Sequence, residues 1–592
     1  MRRSSSENLT ATDTKRMRNE SDKAQLYDRQ LRLWQKTGQA ALEGSRVCVL
    51  GSSALAAEAL KNLVLPGIGE LVVIDDARVN EQDIKTNFFV RPDDKGKPRA
   101  QCIVENLSEL NPDVRGSAIV MAPTDVVTAS SSEQENATIL LDAASLVIAC
   151  NQPESLVCKI SQRCWTSGTP LIVANSAGFL ARIRTSVAEH AVIESHVDTK
   201  PDLRLMCPFP ALRSHVDSIN LDTLDSTDLA HVPYIVLIIK ALQKFASKHS
   251  GNADASGWEG YPSSLKWEEK SELRALIRQL ATVKPDEENF EEATNSVMPQ
   301  CVRYEIPTEI KVILEDPAAS VDSNAAAVES QSNMQQINSK FWLLANALRR
   351  YVESDYAQGK LPLSGKIPDM KADTSGYIAL QRIYKEKAEQ DKNELIKHVA
   401  DVLTASRLPA DFISQEEIDI FAKNANLLRL VRTSSVHNEY ANGPSDLDML
   451  SMNELLSHYA LFRASDAFFS KHVRYPGAPA PSTEQAARSS LTAEDLNKLV
   501  ESDTSELVGM ANELLAKWQP NNHENGGQKN TVSDELAAEF ARSGHCELHN
   551  VASVCGGVIA QEAIKLITHQ YVPGNNIFVF DGVQGRLLSA KV

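Results

Sequence analysis

Gly51 follows a short apolar run, Val47–Leu50, and opens a stretch of small and apolar residues at helical spacing: Leu55, Ala59, Leu60 and Leu63. Pro66-Gly67-Ile68-Gly69 stops that stretch, and a second apolar run, Leu71–Ile74, ends on Asp75-Asp76. Strand, glycine turn, helix, strand and acid is the order in which an α/β domain grips a nucleotide. Backbone N–H groups at the helix start face the phosphates, and the acid takes the ribose hydroxyls. Here the turn departs from the pattern. Ser53 stands where a second glycine would let the backbone approach a pyrophosphate, and Ala56 holds the third, more tolerant place. Two readings stay open on these residues: a degenerate nucleotide site around Gly51 and Asp75, or a βαβ unit that is only structural.

The other reactive residues offer less. His545, Cys546 and His549 have a spacing that could approach one metal, with Cys555 as a fourth ligand, but zinc sites use tighter paired spacing, and no metal is expected. Cys207, in LMCPFP at 205–210, has no base or helix start beside it to favour the thiolate, so it reads as an inert thiol. GxSxG, HExxH, GxxxxGK[ST] and CxxC are all absent from the chain. Arg29, Arg32 and Lys36 share one face of a helix expected over Ala24–Leu42, and Tyr27, Leu31 and Trp34 share another. On periodicity alone such a basic face is a solvated face.

These residues need a scaffold, and 592 residues allow roughly three to five domains. A net charge of −17 argues against a nucleic-acid surface. The compact basic clusters, Arg2-Arg3 and Lys15–Arg18, lie in a polar tail read as disordered, with a nuclear address as a weaker reading. The most apolar run, Tyr234–Ile239, is far too short to span a bilayer, so no membrane partner is expected. Nine cysteines without paired spacing suit a reducing compartment, the cytoplasm or nucleus.

Strands and helices alternate over about residues 40–185, with Arg99–Leu110 and Pro153–Trp165 as helices and Val147–Ala149 and Leu171–Val173 as strands; this predicts a mostly parallel, helix-covered sheet. From about 190 to 540 the pattern is helical, and Ser414 with Glu417 carries a capping-box signature. Strands return at Ile577–Phe580 and Leu587–Val592, after an apolar helix whose Gly556-Gly557 pair leaves room for another backbone. The expected order is a tail (1–23), the first part of an α/β domain (24–190), a mainly helical insertion (191–540) and the rest of the α/β domain (541–592).

Three stretches, YDRQLRLW at 27–34, KNLVLPGIG at 61–69 and GGVIAQEAIKLIT at 556–568, together resemble the ubiquitin-activating enzyme superfamily. Five more are similar to one branch of it, the regulatory, non-cysteine subunits of the heterodimeric enzymes of the neddylation pathway: VIESH at 192–196, PFPALR at 208–213, PDEENFEEA at 285–293, IPDM at 367–370 and RYPG at 474–477. The resemblance runs from Ala24 through nearly the whole chain. It implies a Rossmann-like, ThiF/MoeB-type pseudo-adenylation domain interrupted by the helical insertion, which would correspond to a catalytic-cysteine half lacking the cysteine.

By that resemblance, active halves carry an Asn-x-x-Arg-Gln-like run after the ribose acid, and here Asp83–Asn87 (DIKTN) lacks the arginine. A phosphate-binding lysine is replaced by Arg99, and the acid that positions magnesium is missing from Asn151–Glu154. The resemblance therefore implies that Gly51 and Asp75 line a silent site and that this chain alone is inactive. It implies one catalytic contribution, Arg29, which would reach in trans to Mg-ATP held by the partner. The implied partners are a cysteine-bearing catalytic subunit in an obligate heterodimer, the ubiquitin-like modifier of the neddylation pathway and, indirectly, a conjugating enzyme. The alternatives are a small-subunit-like half of a SUMO-type enzyme and a NAD-dependent oxidoreductase, the second resting on the Gly51–Asp75 pattern alone.

Overall fold

The structure is a computed structural model that describes residues 23, 25–127, 132–198, 200–250, 258, 260–281, 288–320, 333–445, 454–479, 492–518, 531–574 and 576–591. The tail expected over 1–23 lies, apart from Lys23, outside the described residues. Eight strands form one mixed sheet in the order β10-β9-β6-β5-β4-β1-β2-β3. Their ranges are β1 Arg46–Leu50, β2 Glu70–Ile74, β3 Arg115–Ile119, β4 Leu146–Cys150, β5 Leu171–Ala177, β6 Leu180–Ser186, β9 Ile577–Asp581 and β10 Arg586–Ala590. Strands β3, β2, β1, β4 and β5 run parallel, while β6, β9 and β10 are antiparallel to their neighbours. Two short strands, β7 (His190–Val192) and β8 (Arg429–Val431), pair separately.

Parallel strands buried on both faces need apolar side chains at every position. In β1, Val47 and Val49 join a core with Leu55, Leu63 and Ile559, whereas Cys48 and Leu50 join a second core with Val157 and Ile160 on the other face. Helices Ala54–Val64, Arg99–Ser108 and His549–Thr568 supply the first layer, and Glu154–Ser167 the second. The closing helix, His549–Thr568, is long and apolar enough by composition to cross a membrane, but most of it is buried in this layer.

Two strands carry no apolar signal. β3 (RGSAI) sits at the sheet edge, and its side chains are exposed or half-buried. β6 (LARIRTS) is buried throughout, although alternate positions are arginine. Ala181 and Ile183 face the first core. Arg184 Nε donates to Glu439 at 2.8 Å, and Arg182 Nη2 donates to Asn175 at 2.8 Å, the Tyr440 hydroxyl at 3.0 Å and Asp466 at 3.3 Å. The Arg182 guanidinium also lies 5.4 Å from the Phe462 ring centre. A buried cation persists only where opposite charge and hydrogen bonds replace its water.

That pairing explains a correction. The helical run does not belong to one insertion up to residue 540. Among the described residues, those within Met1–Val192, Gln331–Asn338 and Leu430–Val592 form one compact unit, and those within Ile193–Ser330 and Ser339–Arg429 form another. Helices Leu455–His472, Ala493–Trp518 and Asp534–Arg542 bury Tyr459, Phe462, Leu507 and Phe540 in one core with Leu180, Ile577, Val579 and Ala590. Helical periodicity shows that a face is buried, not which surface covers it.

The second unit is helical. Its core gathers Ile235, Ile238 and Leu242 of helix Tyr234–Ser250 with Ile277, Phe290, Val297, Leu380 and Tyr384. The capping box at Ser414 and Glu417 opens helix Gln415–Lys423.

The glycine pair of the closing helix divides into two roles. A Cβ on Gly556 would lie 2.8 Å from the backbone nitrogen of Ala59, so here the helices touch through their main chains. A Cβ on Gly557 would meet nothing within 4 Å. Gly556→Val should therefore force apart the closing helix and Ala54–Val64 at a cost of about 1–3 kcal/mol or more. Gly557→Ala should be neutral or stabilise by up to about 1 kcal/mol through helix propensity. Urea midpoints of the two variants measure the contrast, and equal destabilisation would contradict the packing.

Candidate functional site

β1 delivers the chain into Gly51, whose φ of +90° and close approach to the Cys150 carbonyl leave no room for a Cβ. Ser53 follows in extended conformation and caps the helix Ala54–Val64, its hydroxyl accepting from the Ala56 N–H. At the end of β2, Asp75 lies beside this turn. Both carboxylate oxygens of Asp75 are engaged from within the chain. One accepts from the Ser52 N–H at 2.9 Å, from the Ser52 hydroxyl and from Arg99 Nη2 at 2.9 Å; the other accepts from the Ala77 N–H at 3.1 Å.

Arg99, at the start of its helix, completes the lock. Its Nε donates to the Ser52 hydroxyl at 2.9 Å and its Nη1 to Asp83 at 2.7 Å. Asp83 is held in turn by a capping box with Asn80. Burial disfavours ionisation of Asp75, but the Arg99 charge and the Ser52 and Ala77 hydrogen bonds outweigh it and hold the carboxyl below its usual range. The acid that would grip a ribose is thus the partner of an internal arginine.

The phosphate cradle is engaged as well, by Glu547, which carries no motif in the sequence. Its carboxylate lies on the N-terminus of helix Ala54–Val64. One oxygen accepts from the Ala54 N–H at 2.7 Å; the other accepts from the Leu55 N–H at 3.2 Å, Asn151 Nδ2 at 2.8 Å and the Ser176 hydroxyl at 3.1 Å. A helix start attracts an anion because its first N–H groups have no intrahelical acceptor and carry the positive end of the helix dipole. Asn151, with φ of 51°, also accepts from the Ser176 N–H at 2.9 Å, so β4, β5 and the Glu547 strap meet at one point.

Arg29 lies apart from these clusters. The opening helix, Asp28–Glu43, is pinned at two residues and kinked at Gln35 (φ 57°). The buried Tyr27 hydroxyl accepts from Asn111 at 3.0 Å, and Gly67 leaves space for its ring. Trp34 Nε1 donates to Gln39 at 3.1 Å, and its carbonyl accepts from Gln570 at 3.0 Å. Between these anchors Arg29 is exposed and, among the described residues, makes no hydrogen bond or ion pair, whereas its neighbour Arg32 is paired with Asp28 at 3.0 Å.

The residues considered for a metal are not brought together. His545 stacks on Tyr475 at 3.6 Å, His549 lies against Phe88, Cys546 is exposed and Cys555 is buried. Among the described residues no group of three or more His, Cys, Asp or Glu could hold a metal ion. Burial raises the Cys207 thiol pKa against the pull of Arg204, Lys360 and Arg213, which disfavours the thiolate that a nucleophile would need.

An α/β sheet with a glycine turn, a helix start aimed at an anion and an acid at the end of the second strand defines a nucleotide-type adenylation scaffold. The chain belongs to the ThiF family, whose model matches residues 27–592. It is similar to the NEDD8-activating enzyme E1 regulatory subunits of Xenopus laevis (36% identity, covering 95% of this chain and 97% of that one) and Danio rerio (35%; 95% and 97%). It is likewise similar to the NEDD8-activating enzyme E1 regulatory subunit AXL of Arabidopsis thaliana (32%; 95% and 98%). The family resemblance read from the sequence is thereby borne out, and so is the ThiF-type fold.

Glu547→Ala should strand the Ala54 and Leu55 N–H groups and cost about 1–3 kcal/mol. Inorganic phosphate should then raise the variant's melting temperature while leaving the unmutated chain unmoved; a variant as stable as the parent would refute this role of Glu547. His545 supplies a pH test. Its ring nitrogens are buried and have no hydrogen-bond partner among the described residues, and burial lowers its pKa from 6.5 to about 4. Because the folded state binds fewer protons than the unfolded one in that window, stability is lost as pH falls from 6.5 towards 4. His545→Phe should remove about 2 kcal/mol of the stability difference between about pH 7.5 and about pH 5, measured by denaturant titration at both pH values.

Proposed function

We propose that this chain is the regulatory subunit of a heterodimeric ubiquitin-like-modifier-activating enzyme of the neddylation pathway. The cysteine-bearing partner binds Mg-ATP, adenylates the modifier's C-terminal carboxylate and captures the modifier as a thioester on its own cysteine. This chain completes the assembly and performs no adenylation at its own half-site. The observation that carries the reading is the Glu547 carboxylate on the helix start where a nucleotide phosphate would bind. The residues of this half do not fit Mg-ATP: Asp75 is tied to Arg99, and Asn151 stands in the segment where a magnesium-positioning acid would be needed. The same geometry argues against a NAD-dependent oxidoreductase. The named relatives, matched over nearly their whole lengths, favour the neddylation branch over a SUMO-type small subunit.

Arg29 is the contribution this chain makes to the chemistry. A guanidinium has a permanent charge and several fixed donors, and one supplied from a neighbouring subunit neutralises charge that develops on phosphates during transfer. Its exposure, its lack of a hydrogen-bond or ion-pair partner among the described residues and the anchoring of its helix by Tyr27 and Trp34 suit that role.

Arg29→Ala in the heterodimer should slow modifier-dependent ATP–pyrophosphate exchange on the order of a thousandfold and leave subunit association on gel filtration intact. Unchanged exchange would overturn the assignment. The chain should also co-purify stoichiometrically with a cysteine-bearing subunit.

A further inference from the structure

The helical unit holds a cavity of about 680 Å³ whose wall carries four cationic side chains, Arg204, Arg213, Lys360 and Lys387, against one carboxylate, Asp391. In a chain of net charge −17 this concentration needs explaining. Two of the cations are neutralised. Lys387 pairs with Asp391 at 2.7 Å. The buried Arg204 pairs with Asp202 at 2.7 Å and donates to the Leu361 carbonyl at 2.7 Å. Asp391 is fully engaged, because it also accepts from the Leu363 N–H and the Tyr356 hydroxyl, each at 3.0 Å.

Among the described residues the other two cations have no carboxylate partner. Among the described residues, Arg213 spends its Nε on the Pro208 carbonyl at 2.8 Å and rests 5.1 Å from the Trp258 ring centre. Half-buried Lys360 has, among the described residues, only the Gln358 carbonyl, at 3.4 Å. Both cations line the same wall as Cys207.

We propose that this cavity binds a compact polyanion, an organic phosphate or polycarboxylate, whose negative groups are held by Arg213 and Lys360 beside the Lys387–Asp391 pair. The volume lies within the ~300–1,000 Å³ range of small-molecule sites, and hydrogen bonds from a cation to an anion are stronger than neutral ones. A pocket of this volume suits a compact ligand better than an extended acidic segment of another protein.

The test is isothermal titration of the full chain with pyrophosphate and, separately, with citrate. Saturable binding of either supports the site, and the preferred probe identifies phosphate or carboxylate as its chemistry. Arg213→Ala combined with Lys360→Ala should weaken binding by about tenfold or more. Arg382→Ala, an exposed arginine outside the cavity, should leave it unchanged. Neither of the paired substitutions removes an ion pair, so an unaltered melting temperature without ligand shows that the double variant is folded. No binding of either probe by the parent chain, binding retained by the folded double variant, or binding of an oligo-aspartate peptide alone would each overturn the proposal.

Discussion

The first α/β unit depends on a contact between residues 493 positions apart, the Glu547 carboxylate on the Ala54 N–H. A helix start presents donors that need an acceptor, and a charge-assisted bond in a partly dry site meets that need better than water. Immediately beyond Glu547 the closing helix runs across Ala54–Val64 at main-chain distance through Gly556. The feature that makes the fold a nucleotide binder elsewhere, an unsatisfied helix N-terminus beneath a tight turn, here joins distant parts of one chain. Asp75 follows the same pattern, with Arg99 in the place of a ligand.

A second polar cluster organises β6, the strand beside β5. Arg182 and Arg184 stand on one face of β6 and reach Asp466 and Glu439 in the returning helical segment. Burial raises the Asp466 pKa to about 6, even with Arg182 beside it, so the environment is dry enough for charge to be costly. Apolar residues of similar volume would often hold such an interface as well. What charge pairs add is register: a helix shifted by one turn would leave an arginine buried without its acid. On that reasoning the cluster specifies how the returning helices dock.

Much of the fold is legible along the chain because its signals are local. Val47–Leu50, the stretch to Val64 and Leu71–Ile74 announce themselves by apolar runs and punctuating glycines. Ser414 with Glu417 marks a helix start within four residues, and Gly556 marks a close approach by its lack of a side chain. What stays hidden is tertiary. β6 looks polar because its arginines meet their acids some 250 to 280 residues later. The return to the first unit at Leu430 is masked by helices whose periodicity is indifferent to what covers them. Glu547 is one acid among 78 acidic residues, and nothing nearby in sequence distinguishes it. The departures from a nucleotide-binding pattern at Ser53 and Asn151 could be read along the chain, but not the internal contacts of Glu547 and Arg99 at that turn.

The Glu547 strap also bears on how the protein is made. β1 and the Ala54–Val64 helix leave the ribosome well before the carboxylate that satisfies the helix start, 493 positions later, and before the strand β9 that covers the edge of β6. Until then the nascent unit exposes an anion-seeking helix end and an open sheet edge. Such surfaces invite chaperones and stray strand pairing. Closure of this unit therefore waits for the segment that carries Glu547 onto the Ala54–Val64 helix start.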